Sequence, residues 1–240
     1  MLRVLDLFSG IGGFSLGLER TGGFRTVAFC EIEPYCRAVL RKHWPDVPCF
    51  EDVRTLTAAD VGAIDVICGG FPCQDISYAG YGAGIDGERS GLWSQYSRLI
   101  RQLRPQRAIV ENVPALLGRG LGRVLGDMAA LGYDAEWHCI PASHVGLPHV
   151  RDRVWIIAND RGEREQGEPA PSLPYLYGIP WGENERRATQ WGKRPDLHTP
   201  WLCRAGNGIS ERLDALGNAV VPQIPEIIGR AILEAERTAR

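Results

Sequence analysis

The sequence contains little lysine and no long apolar run. Only 2 of its 27 basic residues are lysine and the net charge is −2, so no overall positive charge indicates a nucleic-acid partner. No stretch of 18 apolar residues occurs, and the opening MLRVLDLFSG lacks the pattern of a cleavable signal. We therefore expect a cytoplasmic protein that has no membrane partner.

Paired cysteines are also missing. The cysteines are odd in number and include no C-x-x-C motif; they are Cys30, Cys36, Cys49, Cys68, Cys73, Cys139 and Cys203. This argues against a disulfide framework and against a zinc site, so no metal is expected. The 25 arginines suit phosphate and base recognition, but a GC-rich genome explains the same excess.

Short strand-like runs alternate with helical patterns through the first two thirds of the 240 residues. The strands are predicted at 3–8, 26–31, 65–70, 107–113, 134–140 and 153–158, and the helices at 14–20, 34–43, 92–103 and 121–131. This alternation predicts an α/β fold with helices on both faces of a mostly parallel sheet. The Val- and Ile-rich strands indicate that the sheet is buried on both sides.

The alternation stops near Asn159. Residues 160–205 are rich in Pro, Gly, Arg, Glu and Trp without periodicity, which predicts a small irregular region. Within 206–240, the apolar spacing of 222–239 predicts a helix that packs back on the sheet domain. The predicted parts are therefore a domain of residues 1–159, an irregular region of 160–205 and a terminal segment of 206–240.

A glycine-rich turn follows the first predicted strand in DLFSGIGGFSLGLE. Gly10, Gly12 and Gly13 let the backbone approach a ligand where the strand passes into a helix. Glu31 lies where a ribose diol would bind in this geometry, and Asp52 follows a candidate third strand end, where an adenine amino group could be met. No Lys-Ser or Lys-Thr follows the glycines, which excludes a P-loop. An adenosine compound without phosphates, such as S-adenosylmethionine, fits this set.

Nucleophile and acid candidates lie at the same predicted sheet edge. Cys73, in DVICGGFPCQDISYAG, follows a strand and precedes a glycine-rich segment, an unusual place for a core cysteine. Glu111 ends the next strand; shielded there it would have a raised pKa, although a helix cap or a surface acid is the other interpretation. Arg151 and Arg153, two residues apart near the last strand, would share one face, which is often only a solvated face.

Together these groups suit methylation at carbon 5 of cytosine. That carbon is too weak a nucleophile to attack a methyl sulfonium unaided. A thiolate added at C6 activates C5, and a proton or hydrogen bond at N3 makes the addition easier. An arginine near O2 would stabilise the charge that moves onto the ring.

The motifs resemble the C5-cytosine DNA methyltransferase family over nearly the whole chain and in the family's order. DLFSGIGGFSLGLE looks like its cofactor loop, GGFPCQDIS like its nucleophile segment and ENV like its carboxylate segment. HVRDRVWIIA looks like its arginine segment, and ALGNAVVP like the C-terminal piece that completes the cofactor pocket. The resemblance implies a Rossmann-like S-adenosylmethionine-dependent methyltransferase sheet, with a small target-recognition region at 160–205.

The resemblance also implies roles for individual residues. The implied catalytic residues are Cys73 as nucleophile, Glu111 at N3, and Arg151 and Arg153 at the base and loop. The implied cofactor-binding residues are Phe8, Gly10, Gly12, Glu31, Asp52 and Asn218. The implied substrate-binding residues are Pro72, Gln74, Ser77 and Arg89. Such enzymes flip the target cytosine out of the duplex, and the glycines from 80 to 91 suit a loop that closes over it.

Two features depart from the family pattern. His149 stands where relatives usually carry Gln, a change that keeps a hydrogen-bond donor. Only about sixty residues separate the arginine segment from LGNAVVP, where the family places a much larger recognition domain. In this short region the candidates for phosphate contacts are Arg186, Arg187, Lys193 and Arg194. A solvated loop is the alternative interpretation of these residues.

The sequence therefore predicts a monomeric enzyme acting on double-stranded DNA in a bacterial or phage-infected cell, with a cognate restriction endonuclease as a transient partner. Three alternatives stay open. A tRNA cytosine-5 methyltransferase is one, although that branch usually shows Pro-Pro-Cys-Gln where this chain has Phe71 before Pro72. The others are a non-catalytic DNA-binding relative and an S-adenosylmethionine enzyme acting on a small molecule.

Overall fold

The computed structural model of the protein describes residues 1–72, 91–147, 151–162, 215 and 217–238. Within these ranges the strands are β1 Leu2–Leu7, β2 Phe24–Cys30, β3 Cys49–Phe50, β4 Val66–Gly69, β5 Arg107–Asn112, β6 Tyr133–Cys139 and β7 Val154–Asp160. The helices are α1 Gly13–Glu19, α2 Pro34–His43, α3 Ala58–Val61, α4 Leu92–Leu103, α5 Leu116–Arg119, α6 Leu121–Ala130 and α7 Gln223–Thr238, with a 3-10 turn at Ala142–Val145.

The strands form one sheet in the order β3-β2-β1-β4-β5-β7-β6. Strands β1 to β5 pair in parallel, whereas β7 runs antiparallel to both β5 and β6. The predicted α/β fold, a mostly parallel sheet flanked by helices, is confirmed. The antiparallel direction of β7 and the short helices α3 and α5 were not predicted, whereas β3 corresponds to the candidate third strand that precedes Asp52.

Each face of the sheet is covered by helices, which explains the apolar strands. On β1, Val4 points to the side where Phe14 of α1 and Ile228 of α7 are buried with it. Leu5 points to the other side, with Tyr96 of α4. Because successive side chains of a strand alternate between faces, one apolar strand contributes to both cores.

Helix α1 packs through two of its glycines against the segment that leads into α7. A Cβ atom at Gly13 would lie 2.3 Å from the carbonyl oxygen of Val220, and one at Gly17 would lie 2.1 Å from that of Pro222. Such distances leave no room for a methyl group, so α1 lies directly against the backbone that leads into α7. None of the helices in the described ranges is both long and apolar enough to span a bilayer.

The parallel pairing places the carboxyl ends of β1 to β5 at one edge of the sheet. The chain leaves that edge at Phe8 after β1, Glu31 after β2, Gly70 after β4 and Val113 after β5. Ligands of open α/β sheets bind at this edge, where the strand order changes direction. Here the change falls between β1 and β4, since the chain runs outward from β1 to β3 and then returns to β4.

Candidate active site

A cleft of about 1090 Å³ lies at the carboxyl edge of the sheet. It brings together most of the predicted site residues: Phe8, Gly10, Glu31, Asp52, Pro72, Glu111, Arg151, Arg153 and Asn218. These residues come from seven separate segments of the chain, so the fold gathers groups that are more than 200 positions apart in the sequence. The cleft is the candidate active site.

The other predicted residues do not line this cleft or lie outside the described ranges. A Cβ atom at Gly12 would point at the ring of Trp44, 2.7 Å away, and at Leu40, so this glycine permits packing against α2. A direct role of Gly12 in binding a cofactor stays a prediction. Outside the described residues are Cys73, Gln74, Ser77, Arg89, His149, Arg186, Arg187, Lys193 and Arg194.

Glu111 and Arg153 form an ion pair in the lining of the cleft. Arg153 Nε donates to Glu111 Oε1 at 2.9 Å, and the two side chains are only 21% and 12% exposed. Burial raises the pKa of Glu111, while the positive charges of Arg153 and Arg151 act in the opposite direction. A carboxyl group in this position can hold a proton at a higher pH than an exposed glutamate and can deliver it to a ligand in the cleft.

The two arginines precede the last strand and do not belong to it. β7 begins at Val154, but Ile140 N donates to Arg153 O and Ala142 N donates to Arg151 O, so the extended pairing continues beyond the strand. The i, i+2 spacing therefore places both side chains on the cleft side, as predicted. Arg151 Nη1 also donates to Gly217 O, which connects the arginine segment to the C-terminal piece that carries Asn218.

Arg151 lies in a less polar and more positive environment than a surface arginine does. Burial, followed by the charge of Arg153, lowers the pKa of Arg151, and Glu111 partly offsets this. The three groups therefore form one electrostatic unit, in which two guanidinium groups face one carboxyl. Such a unit can stabilise negative charge that develops on a ligand placed beside it.

Sequence reasoning missed two residues that position Glu111 and the segment before Cys73. A Cβ atom at Gly70 would lie 2.7 Å from Glu111 Oε2, so a larger residue here would force the carboxyl group to move from its observed position. Asn112 Nδ2 donates to Phe71 O at 3.2 Å, and its Oδ1 accepts the amide of Val113 at 2.8 Å. The double glycine of ICGGFPC was the available signal for Gly70, and the ENV motif, in which Asn112 follows Glu111, was the available signal for Asn112.

A second group of residues in the cleft has the features of an adenosine site. Glu31 is buried, and its carboxylate accepts the amides of Gly10 at 2.7 Å and Glu33 at 2.8 Å. Since a carboxylate offers about four acceptor positions, two remain for the hydroxyls of a ribose. Phe8 has a φ of 52°, a strained conformation for an aromatic residue and one found at ligand sites.

Asp52 supplies a second acceptor in this half of the cleft. Arg54 donates to it through Nε at 2.9 Å and Nη2 at 2.7 Å, and these bonds lower the pKa of Asp52. The carboxylate therefore stays ionised and accepts hydrogen bonds only, which suits an amino group such as that of adenine. The residues present thus fit S-adenosylmethionine. Among the described residues, no cluster of His, Cys, Asp and Glu is arranged to hold a metal ion.

The sheet order and the cleft at its carboxyl edge define an S-adenosylmethionine-dependent methyltransferase fold. A family model described as C-5 cytosine-specific DNA methylase matches residues 2–190. The chain is 38% identical over 98% of its length to the type II methyltransferase M2.BsuMI of Bacillus subtilis, and 34% identical over 92% to M.HgiCII of Herpetosiphon aurantiacus. The chain belongs to the C-5 cytosine-specific DNA methylase family, which confirms the predicted family.

The chain is shorter than these relatives and covers only part of their length. The chain spans 64% of M2.BsuMI and 50% of M.HgiCII. Among solved structures, the Entamoeba histolytica methyltransferase EhMeth superposes with a TM-score of 0.68 over 98% of both chains, at 12% identity. That likeness supports the fold alone.

Proposed function

We propose that the protein transfers a methyl group from S-adenosylmethionine to C5 of a cytosine flipped out of duplex DNA, through a covalent bond between Cys73 and C6. The observation that carries the proposal is the ion pair of buried Glu111 and half-buried Arg153, which lies in one cleft with Glu31 and Asp52. Family membership supports the same chemistry. The alternative, an S-adenosylmethionine enzyme acting on a small molecule, assigns no role to this carboxyl–guanidinium pair.

Glu111 acts on the base in this proposal. Its raised pKa favours the protonated form, which can donate to N3 of cytosine and make C6 electrophilic. The thiolate of Cys73 then bonds to C6, and the electron pair displaced from the C5–C6 double bond makes C5 nucleophilic. Arg153 and Arg151 stabilise negative charge near the carbonyl oxygen O2 of the ring.

Glu31 and Asp52 hold the cofactor. Glu31 accepts hydrogen bonds from the ribose hydroxyls, and Asp52 accepts one from the adenine amino group. Asn218 lines the cleft and contacts the methionine end of the cofactor. S-adenosylmethionine supplies an electrophilic methyl group when bound, and C5 accepts it. Methyl transfer leaves S-adenosylhomocysteine. A water molecule then removes the C5 proton, which restores the double bond between C5 and C6 and expels the Cys73 thiolate, and the N3 proton returns to Glu111, so that the free enzyme is regenerated.

Recognition of DNA is assigned mostly to segments outside the described residues. We propose that Pro72, which lines the cleft, contacts the extruded nucleotide together with Gln74, Ser77 and Arg89, and that 160–205 contacts the flanking duplex. The names of the relatives as type II methyltransferases support a restriction endonuclease of the same target sequence as a functional partner, without a stable complex. The enzyme acts as a monomer in the cytoplasm of a bacterial or phage-infected cell, where DNA and methyl donor meet.

Transfer of a labelled methyl group tests this function. The protein is incubated with labelled S-adenosylmethionine and either duplex DNA, the same DNA denatured, or tRNA. We expect label in the duplex, as 5-methylcytosine, and none in tRNA. Label in tRNA alone would establish the alternative substrate, and no label in any of the three from a protein that binds the cofactor would favour a non-catalytic relative.

Bisulfite sequencing of DNA from cells that express the chain identifies the target. We expect methylation at one short sequence, and cells expressing Cys73→Ser provide the matched control. Methylated cytosines without a shared flanking sequence would contradict recognition by residues 160–205.

A further inference from the structure

One arginine outside the cleft holds the segment that carries Asp52. Arg98 lies half-buried on α4, and its Nη2 donates to two backbone carbonyl oxygens, those of Val53 at 2.8 Å and Leu56 at 2.9 Å. Hydrogen bonds from a charged donor are stronger than those between neutral groups. The guanidinium therefore bridges two carbonyls of a neighbouring segment that would otherwise depend on water.

The guanidinium is itself held in place by its own helix. Arg98 Nε donates to Gln95 Oε1 at 2.8 Å, and Nη1 donates to Gln102 Oε1 at 3.1 Å. Gln95 and Gln102 lie one turn before and one turn after Arg98, so both reach the same face of α4. Four of the five donor hydrogens are thus used in fixed directions.

The bridged segment is a tight turn that ends in the core. The amides of Thr55 and Leu56 donate to Asp52 O at 3.1 and 3.2 Å, and the side chains of Val53 and Leu56 are buried. Asp52 is therefore the first residue of a turn whose carbonyls point at Arg98. A shift of this turn would move the Asp52 carboxylate, which lines the cleft.

Helix α4 is a rigid support for this contact. Tyr96 Oη donates to Ile109 O of β5 at 3.1 Å, which fixes the helix to the centre of the sheet, and Leu92 at the start of α4 lines the cleft. Through Arg98, the position of the turn is thus set by the same helix that borders the cleft. No feature of the sequence indicated this link, because Arg98 and Asp52 are 46 positions apart.

We propose that Arg98 is a positioning residue that fixes the 52–56 turn and thereby sets how tightly and how selectively the cleft binds the adenine ring of the cofactor. The proposal rests on the proposed function in assigning S-adenosylmethionine to this cleft and its adenine amino group to Asp52. Asp52 accepts a hydrogen bond from the 6-amino group of adenine and repels the 6-oxo group of hypoxanthine. Selectivity between these rings therefore reports the position of Asp52.

Calorimetry with S-adenosylhomocysteine and S-inosylhomocysteine tests this proposal. The variants are Arg98→Met, which keeps the length of the side chain without its donors, and Arg98→Lys, which keeps the charge but reaches one carbonyl at a time. Arg101→Met, exposed on the same helix, is the matched control. Thermal melting of each free variant reports its stability separately.

For Arg98→Met we expect adenine-ligand affinity to fall about tenfold, and the preference for adenine over hypoxanthine to shrink by a similar factor. For Arg98→Lys we expect an affinity and a preference between those of the wild type and of Arg98→Met, and for Arg101→Met we expect the wild-type values of both. An unchanged preference in Arg98→Met, even with equally weakened binding of both ligands, would overturn the proposal. If Arg98→Met does not fold, a wild-type preference in Arg98→Lys overturns it. Failure of the wild-type chain to bind either ligand would instead refute the proposed function and this inference with it.

Discussion

Gly70 and Glu111 lie so close that no side chain fits between them: a Cβ atom on Gly70 would be 2.7 Å from Glu111 Oε2. Glu111 is the penultimate residue of β5, and Gly70 follows the adjacent strand β4. The backbone that leads to Cys73 therefore forms one wall of the Glu111 site. The position of the carboxyl group depends on the absence of a methyl group at residue 70.

Gly70→Ala should reduce methyl transfer with little loss of cofactor binding. The added methyl pushes Glu111 away from its bond with Arg153, and a misplacement of about 1 Å can lower a rate by about a hundredfold. The measurement is kcat on duplex DNA together with the Kd for S-adenosylhomocysteine. Gly118→Ala, where a Cβ atom meets nothing within 4 Å, is the control. Equal kcat in the Gly70 variant and the wild type would contradict the geometry described.

Glu111→Gln should remove the proton that the base requires. Gln keeps the shape of the side chain but cannot titrate, so turnover should fall between about 100-fold and 10,000-fold, the range for general acid catalysis. Single-turnover kinetics with labelled S-adenosylmethionine measures the loss, and Glu234→Gln on the exposed side of α7 serves as the control. A variant with wild-type turnover would exclude Glu111 as the acid.

Asp6→Asn should change the pH dependence of stability. Asp6 is fully buried on β1, where Ser15 Oγ donates to its Oδ2 at 2.7 Å, and burial raises its pKa to about 8 from 3.8. A raised carboxyl pKa means that the folded protein holds a proton that the unfolded chain has lost. Stability from this group is therefore full below about pH 4 and is lost as the pH rises toward 8, with a slope of about 1.4 kcal/mol per pH unit.

Urea unfolding at pH 5, 6 and 7 measures this slope. The Asn variant should lose less stability than the wild type over that range. A shallow slope should remain, because the raised pKa of Glu111 acts in the same direction. Parallel profiles for the two proteins would show that Asp6 does not carry the proton.

Gly17→Ala should destabilise the protein although alanine favours helices. The new methyl would lie 2.1 Å from Pro222 O, so α1 and the segment before α7 must separate, at a cost of about 1–3 kcal/mol. Gly126→Ala on α6 meets nothing within 4 Å and should stabilise by about 0.5–1 kcal/mol through helix propensity. The midpoints of urea unfolding measure the stability of both variants. A change in stability of the same sign in the two variants would contradict the close packing of α1.

The local sequence predicted the elements well because apolar period and glycine position are local signals. Helix 34–43 and helix 92–103 begin and end where the pattern predicted. The direction of β7 was not predictable, since a buried strand has the same pattern in either direction. Its antiparallel register pairs Glu111 with Trp155 and so brings Arg153 to the carboxyl group.

Sequence motifs predicted which residues meet in the cleft but not which residues support them. Glu111, Arg153, Glu31 and Asp52 belong to recognisable motifs, and the structure brings them into one cleft. Arg98 has no such signature, because its role depends on carbonyl groups 42 and 45 positions away, which only the folded chain brings together. Asp6 was missed for a related reason, because its raised pKa follows from burial beneath α1.

Covalent capture by 5-fluorocytosine tests the central claim most directly. Fluorine at C5 cannot leave as a cation, so after methyl transfer the enzyme stays bonded at C6 of the base. Duplex DNA containing this base, incubated with the protein and S-adenosylmethionine, should yield a denaturant-resistant adduct that mass spectrometry maps to Cys73, and Cys73→Ser should yield none. An adduct at another residue, or methylation of ordinary duplex by Cys73→Ser, would contradict the account.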